Sequence, residues 1–406
     1  MIFAHKIALD LTQDQERYCR QAAGTSRLTY NWALAEWQRQ YRAGGNPSAV
    51  ALKKQWNALK YERYPWLAAI HRDAHAQPFT HLQKAFSAFF QNIKDRKAGK
   101  TRRKVGYPRF KKKGQHDSFY IANDKVQIAG KRLRIPILGW VRMREALRFT
   151  GKIMAAVVSR TADRWYVSIT VQVDLPPRAC ENQAGTCGVD LGIAHLATLS
   201  APRAHIEGPK PLKAVLKKLR RLNRELARRV KFSAHWYQTK RKLGRLHARI
   251  AALRADALHK LTTRLTQTYR EIVIEDLCVA GMTQNRTLAR AISDMGLGMF
   301  RQMLTYKAEV SGTRIIVADR WFPSSRLCVC GAVHETLTLA DRVFVCPACG
   351  FTDARDFHAA DNLERYPRLV GNDKACGDRS AGVSVGARET VIVEAGTTES
   401  ALLRTF

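Results

Sequence analysis

Three carboxylates in this chain stand where a hydrolytic metal centre would need them. Asp190 lies in Cys187-Gly188-Val189-Asp190-Leu191-Gly192, at the end of an apolar run that reads as a strand. Glu275 lies in Ile272-Val273-Ile274-Glu275-Asp276-Leu277 and ends a second such run, while Asp356 opens a short helical segment. A charge at the end of a buried strand is expensive unless it is paired or binds a metal. Magnesium is a hard cation that takes oxygen ligands. Two such ions about 4 Å apart can activate an attacking water and stabilise a leaving oxygen. Each string alone is weak, because a single strand-end acid is more often a cap or an ion-pair partner.

Taken together, three acids on separate elements, two of them at strand ends, have the pattern of an RNase H-like nuclease centre. A second constellation is built from cysteine. Cys346-Pro347-Ala348-Cys349-Gly350 has the form of a zinc knuckle, whose turn aims two thiolates at one ion. Cys328-Val329-Cys330-Gly331 must supply the other pair, one residue shorter than the usual Cys-x-x-Cys, and His334 is an alternative ligand. Four protein ligands leave no open position, so the role is structural. The chain has nine cysteines. Cys19, Cys180, Cys187, Cys278 and Cys376 are scattered, which fits a reducing compartment and a metal rather than a disulfide framework. Asp256 and His259 stand i,i+3 and read as a hydrogen-bonded pair near the core, with acid–base work as the alternative.

Charge points to the partner. Sixty-nine Lys and Arg oppose 34 Asp and Glu, a formal charge of +35. An isolated fold gains nothing from that self-repulsion, and a polyanion relieves it. Between Lys94 and Lys113 the chain is strongly basic, with Asp95 its one acid. Gly99, Gly106 and Pro108 break any helix there. Arg102, Arg103, Lys104, Arg109, Lys111, Lys112 and Lys113, flanked by Tyr107, Phe110, Phe119 and Tyr120, read as a flexible phosphate clamp; a solvated loop is the plainer alternative. Further on, Leu212, Val215, Leu219, Leu222 and Leu226 step by three and four, as do Leu243, Leu246, Ile250 and Leu253. These stripes predict a helical hairpin with a coiled-coil-like seam. Its outer face carries Lys217, Arg221, Arg224 and Arg228 among other cations, relieved only by Glu225. Like charges at i,i+4 disfavour a bare helix, and a phosphate backbone would explain their presence. No run of roughly 18 apolar residues predicts a membrane span, and residues 1–11 lack a signal-peptide core.

The elements that must position these groups follow from periodicity. Residues 3–11 read as a strand. Leu28, Trp32 and Ala35 then share a helical face, and Phe79, Leu82, Phe86 and Phe89 form a second stripe, the core of a helix bundle. Residues 118–176 read as β structure, with strands at 126–128, 133–135, 155–160 and 165–171, and suggest a small barrel. Pro176 and Pro177 open a linker to about Thr186, where the main boundary falls. The second half reads as a strand ending at Asp190, strand-like sequence over 193–200, the helical hairpin, a strand at 271–275, a helix over 288–311, a strand at 314–317, the cysteine module and a helix over 356–365. After Asn372 the Gly-, Ser-, Ala- and Thr-rich tail reads as mobile.

In this order the residues resemble the TnpB family of transposon-encoded proteins, which is related to the type V CRISPR effectors. The resemblance covers roughly residues 5–365. It is carried by Tyr107-Pro108-Arg109-Phe110-Lys111-Lys112-Lys113, Leu138-Gly139-Trp140-Val141, Gly188-Val189-Asp190-Leu191-Gly192, Leu258-His259-Lys260-Leu261, Ile274-Glu275-Asp276-Leu277, Phe322-Pro323-Ser324-Ser325 and Arg355-Asp356. It implies an α+β multi-domain chain. An N-terminal β-barrel wedge (1–12 and 116–180) would hold an inserted helical recognition lobe (13–115). A C-terminal RNase H-like RuvC nuclease (181–325 and 351–368) would carry an inserted zinc ribbon (326–350), ahead of the tail (369–406). It also implies Asp190, Glu275 and Asp356 as catalytic acids on two magnesium ions, and one structural zinc on Cys328, Cys330, Cys346 and Cys349. The implied partners are a guide RNA from the transposon end and target double-stranded DNA, in a monomeric cytoplasmic ribonucleoprotein. The protein would read a short flanking motif and base pairing the rest. Gln77 and Asn123 lie near where the resemblance puts motif reading; both amides can pair with an adenine edge, or serve as ordinary caps.

Two departures from the family stand out: the Cys-x-Cys pair, and His358 where an Asn usually follows the aspartate by two residues. They keep a nuclease-inactive, RNA-guided DNA-binding protein as one alternative. A DNA strand-transfer transposase is another, disfavoured by the extent of basic surface and by the lack of a separate helix-turn-helix signal.

Overall fold

The computed structural model describes residues 1–101, 104–174, 184–338, 340–370 and 392–394. Arg102, Arg103, the linker over 175–183 and the rest of the tail after 370 lie outside the described residues. The described residues form two units, 1–174 with 392–394, and 184–370.

In the first unit, apolar alternation makes β1 (Ile2–Asp10), which buries Phe3, Ile7 and Leu9. Thr12 then starts α1 (Gln13–Arg42) with a capping box: its hydroxyl accepts from the Gln15 N–H, and the Gln15 side chain accepts from the Thr12 N–H. Next come α2 (Ala49–Arg63), a 3-10 turn (Pro65–Ala69) and α3 (Arg72–Lys97). These helices enclose Leu34, Leu52, Trp56, Leu67, Phe79, Leu82 and Phe86. Phe89 is only half-buried. On α1 the buried face is Tyr30, Ala33 and Leu34, with Leu28 and Trp32 at its margin, whereas Ala35 is exposed. The apolar stripe thus lies one step round from the expected one.

The β structure of this unit comprises β2 (Ser118–Ala122), β3 (Gln127–Ala129), β4 (Arg132–Ile135), β5 (Gly139–Met143), β6 (Lys152–Thr161) and β7 (Arg164–Gln172). The sheet order is β2-β6-β7-β1-β5-β4-β3. Where a small barrel was expected, hydrogen bonding among the described residues gives a sheet with β2 and β3 as edges. Ile121, Leu133, Val141, Val158 and Val167 share one core with Cys19 and Ala22 of α1. Ile392–Glu394, in the segment expected to lack structure, pairs parallel with Phe3–His5 of β1.

The second unit contains β8 (Ala184–Leu191), β9 (Ala197–Leu199), β10 (Ala204–Ile206), α4 (Pro211–Arg228), α5 (Ala234–Thr268), β11 (Tyr269–Glu275), α6 (Val279–Met282), α7 (Ala289–Met295), α8 (Leu297–Ser311), β12 (Arg314–Ala318), β13 (Val343–Val345), β14 (Thr352–Ala354) and α9 (Arg355–Val370). Its main sheet runs β10-β9-β8-β11-β12. The first three strands are antiparallel, and β8, β11 and β12 are parallel. The expected strand over 193–200 covers only Ala197–Leu199, and the helix over 288–311 is broken at Gly296 into α7 and α8.

The hairpin seam joins Leu212, Leu219 and Leu222 of α4 to Leu246 and Ile250 of α5, with Val215 and Leu243 packed alongside. Leu253, expected in it, is exposed. The inward place after Ile250 goes to Arg254, whose guanidinium lies 3.0 Å from the Asp294 carboxylate, both side chains almost dry. That carboxylate also accepts from the Leu212 and Lys213 N–H groups at 3.0 and 2.9 Å, capping α4. One acid therefore ties α4, α5 and α7 together. Asp294→Ala strands a buried guanidinium and uncaps α4, so urea unfolding should show a loss of about 3–5 kcal/mol. A loss below about 1 kcal/mol would fall in the range of an ordinary surface site and contradict this role.

Candidate active site and metal centres

Strands β8 and β11 pair in register from Thr186 opposite Glu271 to Val189 opposite Ile274. One step further places Glu275 beside Asp190, on neighbouring strands about 4.8 Å apart and on the same face. Helix α9 crosses β8 at Gly188. A Cβ on Gly188 would stand 2.6 Å from the Glu364 nitrogen and closer still to the Ala360 oxygen, so only glycine admits the helix this near. Asp356 lies in the first turn of α9, an end of the helix that favours a carboxylate.

The consequence is electrostatic crowding. Burial first, and then the charges of Glu275 and Asp356, push the Asp190 carboxyl up to about 8, against the opposing pull of Arg355. Glu275 accepts a hydrogen bond from the Ser324 hydroxyl at 2.5 Å. Asn362 of α9 donates to the Ser324 and Leu327 carbonyls at 2.7 and 2.6 Å, tying the loop after β12 to α9. Neither Ser324 nor Asn362 was singled out from sequence; the Phe322-Pro323-Ser324-Ser325 string was the available signal for the first. Asp276, next along the chain, is taken up by Arg301 and Arg320 at 2.7 and 2.5 Å.

An all-oxygen donor set whose charges oppose one another suits a hard cation. The three acids are spaced more widely than a one-ion chelate: among the described residues, only the four cysteines bring three or more ligand atoms within 4.8 Å of one another. His358 does not join the acids. It is buried, its Nε2 lies 2.8 Å from the Leu327 carbonyl, and its ring stacks on Phe344 at 4.0 Å. Its packing is toward the cysteine module. Asp256 and His259, expected as a pair, diverge: Asp256 binds Lys260 at 2.7 Å, and His259 lies against Tyr306.

In the cysteine module, the sulfurs of Cys328 and Cys349 lie 3.6 Å apart and those of Cys330 and Cys346 3.7 Å apart. A tetrahedral ion with four bonds of about 2.3 Å sets its ligands about 3.8 Å apart, so the set fits zinc. The short Cys-x-Cys pair still delivers both thiols, because Gly331 takes a φ of +89° and Gly350, in the other knuckle, +72°. Backbone N–H groups of Cys349 and Ala348 hold the Cys346 thiol down at about 6, whereas burial pushes the Cys328 thiol up and Cys349 is raised as well, so Cys346 is the sulfur most inclined to the thiolate a metal needs. His334 is not among the converging ligands. Phe344 of β13 and Leu337 form the small core beneath.

From Val105 to Lys111 the basic segment is anchored rather than loose. The Val105 N–H donates to Asn92 at 2.8 Å, Tyr107 packs on Phe86 and Phe89, and the Lys111 backbone makes two hydrogen bonds to Asn31. Lys104, Arg109, Lys112 and Lys113 are exposed. Lys111 instead turns inward over the Tyr30 ring at 4.3 Å, where burial lowers its pKa. Gln77 is half-buried on α3 and Asn123 exposed at a turn. Asp73, one helical turn before Gln77, binds the Ala122 N–H and the Lys125 ammonium at 2.9 and 2.8 Å, which draws that turn to α3. In the second unit Lys217, Arg221, Arg224 and Arg228 are all exposed on α4. None of the described helices is long and apolar enough to cross a membrane.

Acids whose charges meet at one end of a mixed sheet, and a four-cysteine cluster, are features that a metal-dependent nucleic-acid hydrolase would need. A family model described as "Probable transposase" matches residues 167–286, one described as "Cas12f1-like, TNB domain" matches 298–363, and one described as "Helix-turn-helix domain" matches 1–46. The last covers a motif not seen in the sequence, and the structure there is β1 followed by the unbroken α1. The chain is 32% identical to "Putative RNA-guided DNA endonuclease InsQ" of Escherichia coli, over 92% of this chain and 94% of that one. It is 34% identical to a "Putative RNA-guided DNA endonuclease" of Streptomyces pristinaespiralis, over 90% and 89%. Its fold is similar to that of Cas12f1 in a complex with guide RNA and target DNA, with a TM-score of 0.51 at 13% identity over 87% and 83% of the two chains. The chain belongs to the TnpB family of RNA-guided DNA endonucleases.

The four-sulfur geometry predicts one tightly held zinc per chain, measured by metal analysis of purified protein. Cys330→Ala should lose it, and His334→Ala should keep it. The opposite pattern would transfer the fourth ligand to His334.

Proposed function

We propose that this chain is an RNA-guided DNA endonuclease of a transposon, cutting DNA beside a short flanking motif by metal-assisted phosphodiester hydrolysis. The observation that carries the reading is that Glu275 and Asp356 lie near enough to Asp190 for their charges to raise its pKa, the three coming from two parallel strands and one helix start. The sheet order, three antiparallel strands continued by two parallel ones, supports the RNase H-like reading. Relatives of nearly full length carry the same function in their names.

Asp190, Glu275 and Asp356 would hold two magnesium ions, which activate the attacking water and stabilise the leaving oxygen. Ser324 fixes the Glu275 carboxylate by a hydrogen bond, leaving its remaining lone pairs for a ligand. Arg355 lies 3.5 Å from Asp356 and moderates the repulsion around Asp190. Cys328, Cys330, Cys346 and Cys349 would hold a structural zinc that braces the module against His358 and the start of α9. The exposed cations Lys104, Arg109, Lys112 and Lys113, and separately Lys217, Arg221, Arg224 and Arg228, supply phosphate contacts for guide RNA and target DNA. Gln77 and Asn123 contact the flanking motif in double-stranded target DNA. The buried, ribbon-facing position of His358 supports the cleaving reading over a non-cleaving relative.

The test is cleavage by the complex co-purified with RNA from its own transposon end. Magnesium and a guide-matched target beside randomised flanks are added. Wild type should cut at one class of flank. Asp190→Ala should lower the rate by at least about a thousandfold, the scale of losing a principal catalytic group, while retaining its RNA. Cutting by that variant, or loss of its RNA, would overturn the site assignment.

A further inference from the structure

Beside the acids lies a second feature. A cleft of about 250 Å³ opens at the C-terminal ends of β11 and β12, lined by Glu275, Asp276, Leu277, Met282, Arg320 and Phe322 among others. Trp321 sits between two of its lining residues and is 85% exposed, more than any other large hydrophobic side chain among the described residues. Single exposed apolar residues are ordinary on protein surfaces. This one is unusual in how firmly its surroundings are held. On one side, the Arg320 guanidinium bonds to the Asp276 carboxylate at 2.5 Å. On the other, Phe322 packs edge-on against Tyr366 of α9 at 4.8 Å. The Trp321 N–H itself donates to Asp319 at 2.8 Å. The backbone is pinned on both flanks and at the residue, and only the indole is presented to water.

Charge at the mouth is mixed: Arg301 and Arg320 share the Asp276 carboxylate, and Glu275 and Asp319 also line the cleft. An indole face with adjacent cations is the equipment by which proteins hold single-stranded nucleic acid: bases stack, and phosphates meet the charge.

We propose that Trp321 is the stacking platform for a base of the DNA strand being cut, holding it unpaired at the mouth of the cleft so that the neighbouring phosphodiester reaches the acids. The inference rests on the nuclease reading and adds a positioning residue to it. Recognition is by the π-face and is indifferent to which base is present.

The test uses the full ribonucleoprotein bound to target DNA carrying 2-aminopurine at successive positions, with a chelator in place of magnesium so that no cut occurs. In wild type, 2-aminopurine at one position near the cut should be quenched by stacking. Trp321→Ala should restore its emission, and Trp321→Phe should retain most of the quenching. With magnesium added, Trp321→Ala should cleave about tenfold more slowly, with guide-RNA content, target affinity and melting temperature unchanged. Trp321→Phe should cleave within about threefold of wild type. Equal emission profiles and equal cleavage rates for wild type and Trp321→Ala would overturn the inference. A wild-type complex that quenches at one position, loses this in Trp321→Ala and never cuts would overturn the nuclease reading alone.

Discussion

The backbone of α9 passes over β8 at a distance that leaves no room for a side chain on Gly188. Much else in the second unit follows from that contact. It seats Ala360 and Leu363 in the core with Val273 and Ile316. It carries Asp356 toward the strand ends and lets Asn362 hold the Ser324 loop. It also fixes the price of the arrangement: three carboxylates close enough for two of them to raise the pKa of the third. A fold that needed only stability would put an apolar residue at position 190. Carboxylates held together against their own repulsion are what a cation-binding centre requires.

The cysteine module depends on the same helix. His358, two residues after Asp356, stacks on Phe344 and meets the Leu327 carbonyl, so the start of α9 both carries Asp356 and braces the ribbon. The Arg254–Asp294 pair anchors the basic hairpin in a comparable way, with one carboxylate capping α4 and holding α5. In the first unit, Asp73 and Asn31 do similar work, drawing the 123–125 turn and the basic segment onto the helices.

What was legible in the sequence is what short-range pattern controls. The strands ending at Asp190 and Glu275 show as apolar runs stopped by an acid, and the helical hairpin shows as a 3,4 repeat. The cysteine knuckle shows as a turn spacing. What escaped depends on long-range partners. Leu253 fits the repeat and is exposed, because Arg254 takes the inward place to reach Asp294. Lys111 sits in a run of cations, yet Tyr30 and Asn31 draw it inward. His358 follows Asp356 by two residues but packs against the ribbon core. Nothing local distinguishes Ser324 from Ser325, and only the fold brings one of them to Glu275.

The crowding of the acids is the central claim, and it is most directly tested by thermal unfolding of wild type and Asp190→Asn across pH, with chelator or with magnesium. A carboxyl whose pKa rises from the ordinary range near 4 to about 8 on folding stabilises the protein less as pH climbs through that window and least above it. In chelator, the two proteins should therefore melt alike near pH 4, and the Asn variant should melt increasingly above wild type toward pH 8. Magnesium should raise the melting temperature of wild type far more than that of the variant. A variant no more stable than wild type at pH 8, with both responding equally to magnesium, would contradict the account.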